Sequence, residues 1–300
     1  MYSSLGGVLP DFLTTEHVFE SNKHFKLGKD ELNAVLLSLQ NIVADAELVR
    51  ESIKWKEKTF APRDMFEEFD TKGFVVPEKA PLMPIIVLIA GIGQMRSFYQ
   101  KHCISDKIFG DTIEDIARNI RVAKRRNGRY AIESYIFDWL ARHMTCRVFH
   151  LGRLQFEAIR ISEDSQHVKA GEYVLNTHIP SGSKLDYGDV QLSYRQAASF
   201  FERLTPHVEY RGIVCDSWML SPALKEVLHP DSNLVKFLSD YEIFRTYDDE
   251  SFYNYVFIKK PNNLSDLQED TLLQRRLKQY LLSGMKIMSA GGFIPMHKIV

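Results

Sequence analysis

What the chain has little of narrows the field first. Its 300 residues include only 3 cysteines, Cys103, Cys146 and Cys215. The count is odd, the spacing wide and no CxxC pair occurs, so neither a disulfide framework nor a zinc knuckle is expected. Charge of one sign is lacking too: 38 Lys and Arg face 39 Asp and Glu, a formal net charge of −1. A protein that grips a polyanion carries a basic excess, so no nucleic-acid partner is expected. The most apolar stretch, PLMPIIVLIAGIG from Pro81, holds two prolines and falls short of the roughly 20 residues a membrane helix needs. It reads as a buried helix, and no membrane association is expected. The opening MYSSLGGVLPDFLTTEHVF lacks a basic start and an unbroken apolar core, so no export signal is read there and a cytoplasmic location is expected. The 10 histidines show no HxxxH or HxH spacing, and no GxSxG, Walker or dinucleotide-binding string occurs, so no metal site is expected. Internal repeats and low-complexity segments are absent as well.

What is present is an ordinary globular composition, 45% hydrophobic and 26% charged, in a chain long enough for two domains. The first part reads as helical. Leu32, Val35, Leu36, Leu39, Ile42, Val43 and Leu48 recur at three- and four-residue steps and predict one helix over Lys29–Ser52. A second helix is predicted from Pro81 to Tyr99, with Pro84 tolerated in its first turn. Asp111 and Glu114 resemble an acidic capping box opening a helix that exits at Asn127-Gly128. A further helix runs from Tyr130 to Met144. The run Arg118, Arg121, Lys124, Arg125, Arg126 and Arg129 is the densest charge cluster, a pattern that is a solvated face in most proteins and a seat for a small anion in some.

Near Cys146 the hydrophobic period changes from about 3.6 to 2. Two alternating runs around Gly152 predict a β-hairpin, and Glu172–Pro180 a third strand. The segment from Asp186 to Leu204 predicts a helix. A fourth strand, VEYRGIVCDSWML, leads into a helix opened by Ser221-Pro222. YEIFRTY and FYNYVFIKK read as two late strands, DTLLQRRLKQYLLSG as a last helix, and MKIMSAGGFIPM as a closing tail. The tail's FIPMHKIV is apolar enough to dock on its own protein or on a neighbour, which leaves an oligomer open. The expected fold is α+β: a helical N-terminal domain over residues 1–144, then a mixed β-sheet with flanking helices over 145–300.

Four strings, HLGRLQFE (150–157), HIPSGSKL (178–185), CDSWML (215–220) and DTLLQRRLKQYLLSG (270–284), resemble a family of bacterial two-domain acyltransferases. In that family a helical N-terminal domain precedes a GNAT-like domain. The resemblance implies transfer of an acyl group from acyl-coenzyme A, as co-substrate, to a small-molecule amine of unknown identity, without a metal. In GNAT sites a glycine-rich turn before a helix offers free N–H groups to the coenzyme's pyrophosphate, with the pattern Q/R-x-x-G-x-G/A. The matching stretch here, HIPSGSKLDYGD, departs from it: Gly182 and Gly188 are present, but no arginine or glutamine precedes closely spaced glycines. Lys184 supplies a cation, while Asp186 and Asp189 repel phosphate. The positions implied for coenzyme binding are Ile179, Ser181, Gly182, Ser183 and Lys184, with Cys215 on the facing strand.

Acyl transfer also needs a base for the amine and an acid for the leaving thiolate. Glu157 or His178 is the candidate base, directly or through water; Ser217 or Tyr194 is the candidate acid. Each has a plainer reading. Glu157 alternates with Phe156 and Ala158 and suits a solvent-facing strand position, His178 a turn contact, Cys215 a small buried hydrophobe, and Asp216 and Ser217 helix caps. Tyr99, His102 and Trp139 are candidates to shape an acceptor pocket. Two other functions stay open: a GNAT-like module that binds a ligand or protein without catalysis, favoured by the missing glycine pattern, and a thioester hydrolase with water as acceptor.

Overall fold

The computed structural model describes residues 9–67 and 73–299; residues 1–8, where the reading for an export signal begins, lie outside the described residues. The chain divides into two compact units, residues 1–150 and 151–300.

The first unit carries α1 (Thr15–Phe25), α2 (Lys29–Ala44), α3 (Ala46–Thr59), α4 (Met83–Ile89), α5 (Ile92–Lys101), α6 (Asp106–Asn127) and α7 (Ser134–Met144). Helix α4 organises them. Every residue from Met83 to Ile89 is buried, and a helix apolar on all sides belongs in the interior. Helices α1, α2, α3 and α7 pack around it. Trp55, Phe74 and Phe137 form an adjoining aromatic cluster, with ring centroids 4.6–5.2 Å apart.

Several helix limits differ from expectation. The Lys29–Ser52 stripe is two helices that meet at 113°. Asp45 makes the corner: its carboxylate accepts from Glu47 N at 3.0 Å and Leu48 N at 3.5 Å, capping α3. The Pro81–Tyr99 helix breaks at Ala90-Gly91, where a Cβ on Gly91 would lie 2.1 Å from the Phe60 ring. Helix α6 starts at the Ser105 cap, whose hydroxyl accepts from Ile108 N at 3.3 Å; Asp111 lies inside the helix, paired with Lys107. Its exit at Gly128, with φ +70°, is the expected one. Helix α7 begins at Ser134 rather than Tyr130. Among the described residues no single helix is long and apolar enough to cross a membrane.

The sheet contains β1 (Val148–Leu151), β2 (Leu154–Arg160), β3 (Tyr173–His178), β4 (Tyr210–Ser217), β5 (Glu242–Tyr247) and β6 (Ser289–Pro295), in the order β1-β2-β3-β4-β6-β5. Strands β3 and β4 run parallel, joined by α8 (Tyr187–Leu204), while β2–β3, β4–β6 and β5–β6 are antiparallel. Helices α9 (Leu224–Val227), α10 (Asn233–Ser239), α11 (Ser251–Val256) and α12 (Leu272–Leu282) complete the unit. The result is an α+β fold, a helical region followed by a mixed six-stranded sheet with flanking helices.

Two strand expectations are corrected. The first part of FYNYVFIKK lies in α11 rather than in a strand, and just ahead of that helix the Asp249 carboxylate accepts from Ser251 N at 3.0 Å. The sixth strand comes instead from the tail segment SAGGFIP. It inserts between β4 and β5 and is buried from Ser289 to Ile294.

Candidate functional site

The parallel pair β3–β4 opens at one end. Its register runs through Leu175↔Ile213 to Asn176↔Val214 and has no later pair, although β3 continues to His178 and β4 to Ser217. Strand β4 does not fray there. Its other edge stays paired to β6 as far as Ser217↔Ala290. The two carboxyl ends therefore part company, leaving backbone N–H and C=O groups between them without a ladder partner.

Residues of alternating orientation flank this divergence. Gln155, Glu157, Asn176 and His178 share one face, because Gln155 pairs with His178 and Glu157 with Asn176 across the β2–β3 ladder. The diagonal of that square brings Glu157 Oε2 to 3.8 Å from His178 Nε2. Asn176 Nδ2 lies 3.3 Å from the same ring nitrogen. Glu157 is only 1% exposed, so it is not the solvent-facing strand residue of the plainer reading, while His178 is half-buried. The buried carboxylate stands against the imidazole and steadies the ring. The pair is thus equipped to accept a proton at the open end of the sheet.

The turn from His178 to α8 contains Ile179, Ser181, Gly182, Ser183 and Lys184. The last four are exposed, and Gly182 holds φ +96°, a left-handed conformation suited to glycine. Arg153, from the β1–β2 turn, fixes this segment. Its Nε donates to Lys184 O at 2.8 Å and its Nη2 to Ser183 O at 2.9 Å. Among the described residues the backbone N–H groups of 181–184 donate to no protein acceptor. The first turn of α8 is different: Asp186 already accepts from Gly188 N at 2.9 Å and Asp189 N at 3.3 Å. An anion arriving here meets the turn's amides and Lys184, not the helix terminus.

Other candidates stand elsewhere. Tyr194 packs against Phe156, ring centroids 6.4 Å apart, and so lies on the sheet face opposite Glu157. It is 2% exposed and its hydroxyl donates to that of Tyr241 at 3.1 Å; burial pushes both phenols well above their ordinary range. Cys215 is 1% exposed beside them, and burial pushes its thiol up, away from thiolate character. Its side chain is closed off from the divergence, so only its backbone is available to a coenzyme. Ser217 Oγ accepts from Met219 N at 3.1 Å, the capping role of the plainer reading. Asp216 is held by Arg245 and Tyr247. Tyr187 and Gln191 each hold Asp240 at 2.7 Å, and burial lifts that carboxyl above its usual value.

In the helical unit, Trp139 donates to Asp115 at 2.9 Å, Tyr99 is buried in the core, and the His102 ring lies 4.3 Å from that of Phe98. The basic run is mostly engaged: Arg118 with Asp115, Arg121 with Glu31 at 2.8 Å, Lys124 with Gly128 O at 2.8 Å. Among the described residues no three metal-ligating side chains gather.

The structure thus brings Glu157 and His178 together and puts Tyr194 on the opposite face of the sheet. Arg153, Gln155 and Asn176 were missed from sequence. Gln155 and Asn176 carried a signal: each sits two places from a candidate base on its own strand, hence on the same face.

Residues 20–146 match the family described as N-acyltransferase N-terminal domain, and residues 148–294 the family described as GNAT-like C-terminal domain. An acyltransferase in complex with decanoyl-CoA is similar at a TM-score of 0.78 and 21% identity, over 96% of this chain and 89% of that one. A mutant acyltransferase in complex with octanoyl-CoA gives 0.75 at 20% identity, over 96% and 89%. An acyltransferase in complex with decanoyl-CoA and teicoplanin gives 0.74 at 21%, over 96% and 90%. At these identities the likeness establishes the fold. Among curated proteins none matches the chain significantly.

Proposed function

We propose that this chain, which belongs to the two-domain acyltransferases built from an N-acyltransferase N-terminal domain and a GNAT-like C-terminal domain, transfers an acyl group from acyl-coenzyme A to the nitrogen of a small-molecule amine. The observation that carries the reading is the Glu157–His178 pair, 3.8 Å apart, beside the divergence of β3 and β4. Acyl-coenzyme A is the donor. Its amide-bearing arm suits the unpaired strand edges, and its diphosphate suits the free N–H groups of Ser181–Lys184 together with the Lys184 ammonium. Similar structures hold decanoyl-CoA and octanoyl-CoA, and one holds teicoplanin, which makes a medium-chain donor and a small-molecule acceptor the first to try.

The amine nitrogen attacks the thioester carbon while the His178 imidazole, steadied by Glu157, takes the nitrogen's proton. Collapse of the tetrahedral adduct breaks the C–S bond. The imidazolium is then the acid for the departing thiolate, because it already carries the proton taken from the amine, while Tyr194 lies across the sheet. The Asp186 cap on α8 supports a rival reading, a ligand-binding module without turnover. Product formation from decanoyl-CoA and an amine excludes that rival, and thiol release without amine identifies a hydrolase instead.

Substitution separates these. His178→Ala and Glu157→Gln are expected to lower kcat by about 10²–10⁴-fold and about 10-fold or more, respectively, with decanoyl-CoA binding retained in calorimetry. Turnover that survives both changes sinks the assignment of the base.

A further inference from the structure

We propose that Gln155 reads the acceptor: its carboxamide donates a hydrogen bond to an oxygen on the amine substrate, which is therefore an amine bearing a hydroxyl or carbonyl oxygen close to the reacting nitrogen. The inference rests on the acyl-transfer reading above. Gln155 is 1% exposed, and its Nε2 has no hydrogen-bond partner among the described residues. A buried amide donor left unpaired bears its full desolvation penalty, and folds retain such groups where a ligand satisfies them. A glutamine kept only to fill space would have its Nε2 bonded to a strand carbonyl or to the neighbouring carboxylate; among the described residues this Nε2 is bonded to neither.

Its position says which part of the reaction it meets. Gln155 stands directly across from His178 in the β2–β3 register and shares the face of Glu157. The β3–β4 divergence lies on the far side of β3. Moving across the sheet, one passes the thioester's place, then the imidazole, then Gln155, in steps of about 4.8 Å per strand. A carboxamide on β2 is thus separated from the thioester carbonyl by the strand that carries the base. An amine over the imidazole, with its nitrogen toward the divergence, extends its remaining atoms over β2. Glu157 there favours the cationic form on arrival, and Gln155 offers an N–H to the next oxygen.

The test uses the full chain, decanoyl-CoA as donor, and two matched acceptors: an alkylamine and the corresponding vicinal amino alcohol. Wild-type protein is expected to favour the amino alcohol by about tenfold or more in kcat/KM. Gln155→Leu is expected to erase that preference, chiefly through a raised KM for the amino alcohol. The variant should melt no lower than wild type, since an unpaired donor has been removed from the interior. A preference that survives Gln155→Leu overturns the inference and leaves acyl transfer standing. If Gln155→Leu and the closer-shaped Gln155→Met both melt well below wild type, the carboxamide is a structural part and the inference fails. Absence of decanoyl-CoA binding by the wild-type protein in calorimetry removes the acyl-transfer reading and this inference with it.

Discussion

A single guanidinium, that of Arg153, decides which way the turn before α8 presents its peptide groups. By drawing the carbonyls of Ser183 and Lys184 toward itself, it leaves the intervening amide facing away. In the proposed coenzyme-binding reading, this guanidinium stands in from outside the turn for the missing Q/R-x-x-G-x-G/A signature. Gly152 makes this possible: its φ is +73°, and a Cβ there would sit 2.6 Å from Ser193 Oγ, the atom that accepts from Arg153 N at 2.7 Å. Arg153→Ala is expected to weaken coenzyme A binding by about tenfold, and Arg153→Lys to rescue little, because only the guanidinium fork spans two adjacent carbonyls. Calorimetric titration checks both; unchanged affinity in Arg153→Ala would show that the turn is set without it. Glu157 and His178 were legible as residue types on adjacent strands. Their 3.8 Å approach was not, because register belongs to the folded sheet and a slip of one residue sends each to the opposite face.

At the scale of elements, periodicity located most helices and the hairpin at Gly152, but breaks and buried strands escaped it. Asp45 lies within an unbroken apolar stripe, and only its capping bonds to Glu47 and Leu48 turn the chain. Asp45→Ala is expected to cost about 1 kcal/mol, read as a lower denaturant midpoint with an unchanged slope. A shift below a few tenths of a kcal/mol would mean packing, not the cap, holds the corner. FYNYVF is rich in aromatics, a composition that favours strands, yet Phe252 and Tyr253 bury their rings side by side, 4.1 Å apart, on a short helix. SAGGFIP hid for the opposite reason. Both faces of β6 are buried, so no alternation marks it. Its glycines stand where neighbours come close: a Cβ on Gly291 would lie 2.9 Å from Arg245, and one on Gly292 2.8 Å from Tyr241.

For the whole molecule, the net charge of −1 conceals a buried polar cluster in the helical unit. Asp115, 3% exposed, accepts from Trp139 at 2.9 Å and pairs with Arg118, while His143 Nε2 lies 3.5 Å away. His150 borders this group. Burial, then the Arg118 charge, lowers its pKa from the ordinary 6.5. The unfolded chain therefore binds this proton more readily than the folded one. Its contribution to stability is full above about pH 6.5 and is lost as pH falls through that value toward the lowered one. Thermal melts from about pH 8 down to 5 should show a declining midpoint, and His150→Gln should flatten that decline. Equal slopes in both proteins would remove His150 as its source.

The insertion of β6 between β4 and β5 also orders events during synthesis. Of the six strands it is the last to leave the ribosome, yet it occupies an interior place in the sheet. Until it emerges, β4 and β5 each present an open edge to the same gap, and closing it requires contacts between segments far apart in sequence. The helical unit, translated earlier, is free to fold in the meantime. The strand that keeps β4 straight as it parts from β3 is thus also the one that arrives last. Until this last segment has been made, the sheet stays divided at the gap between β4 and β5.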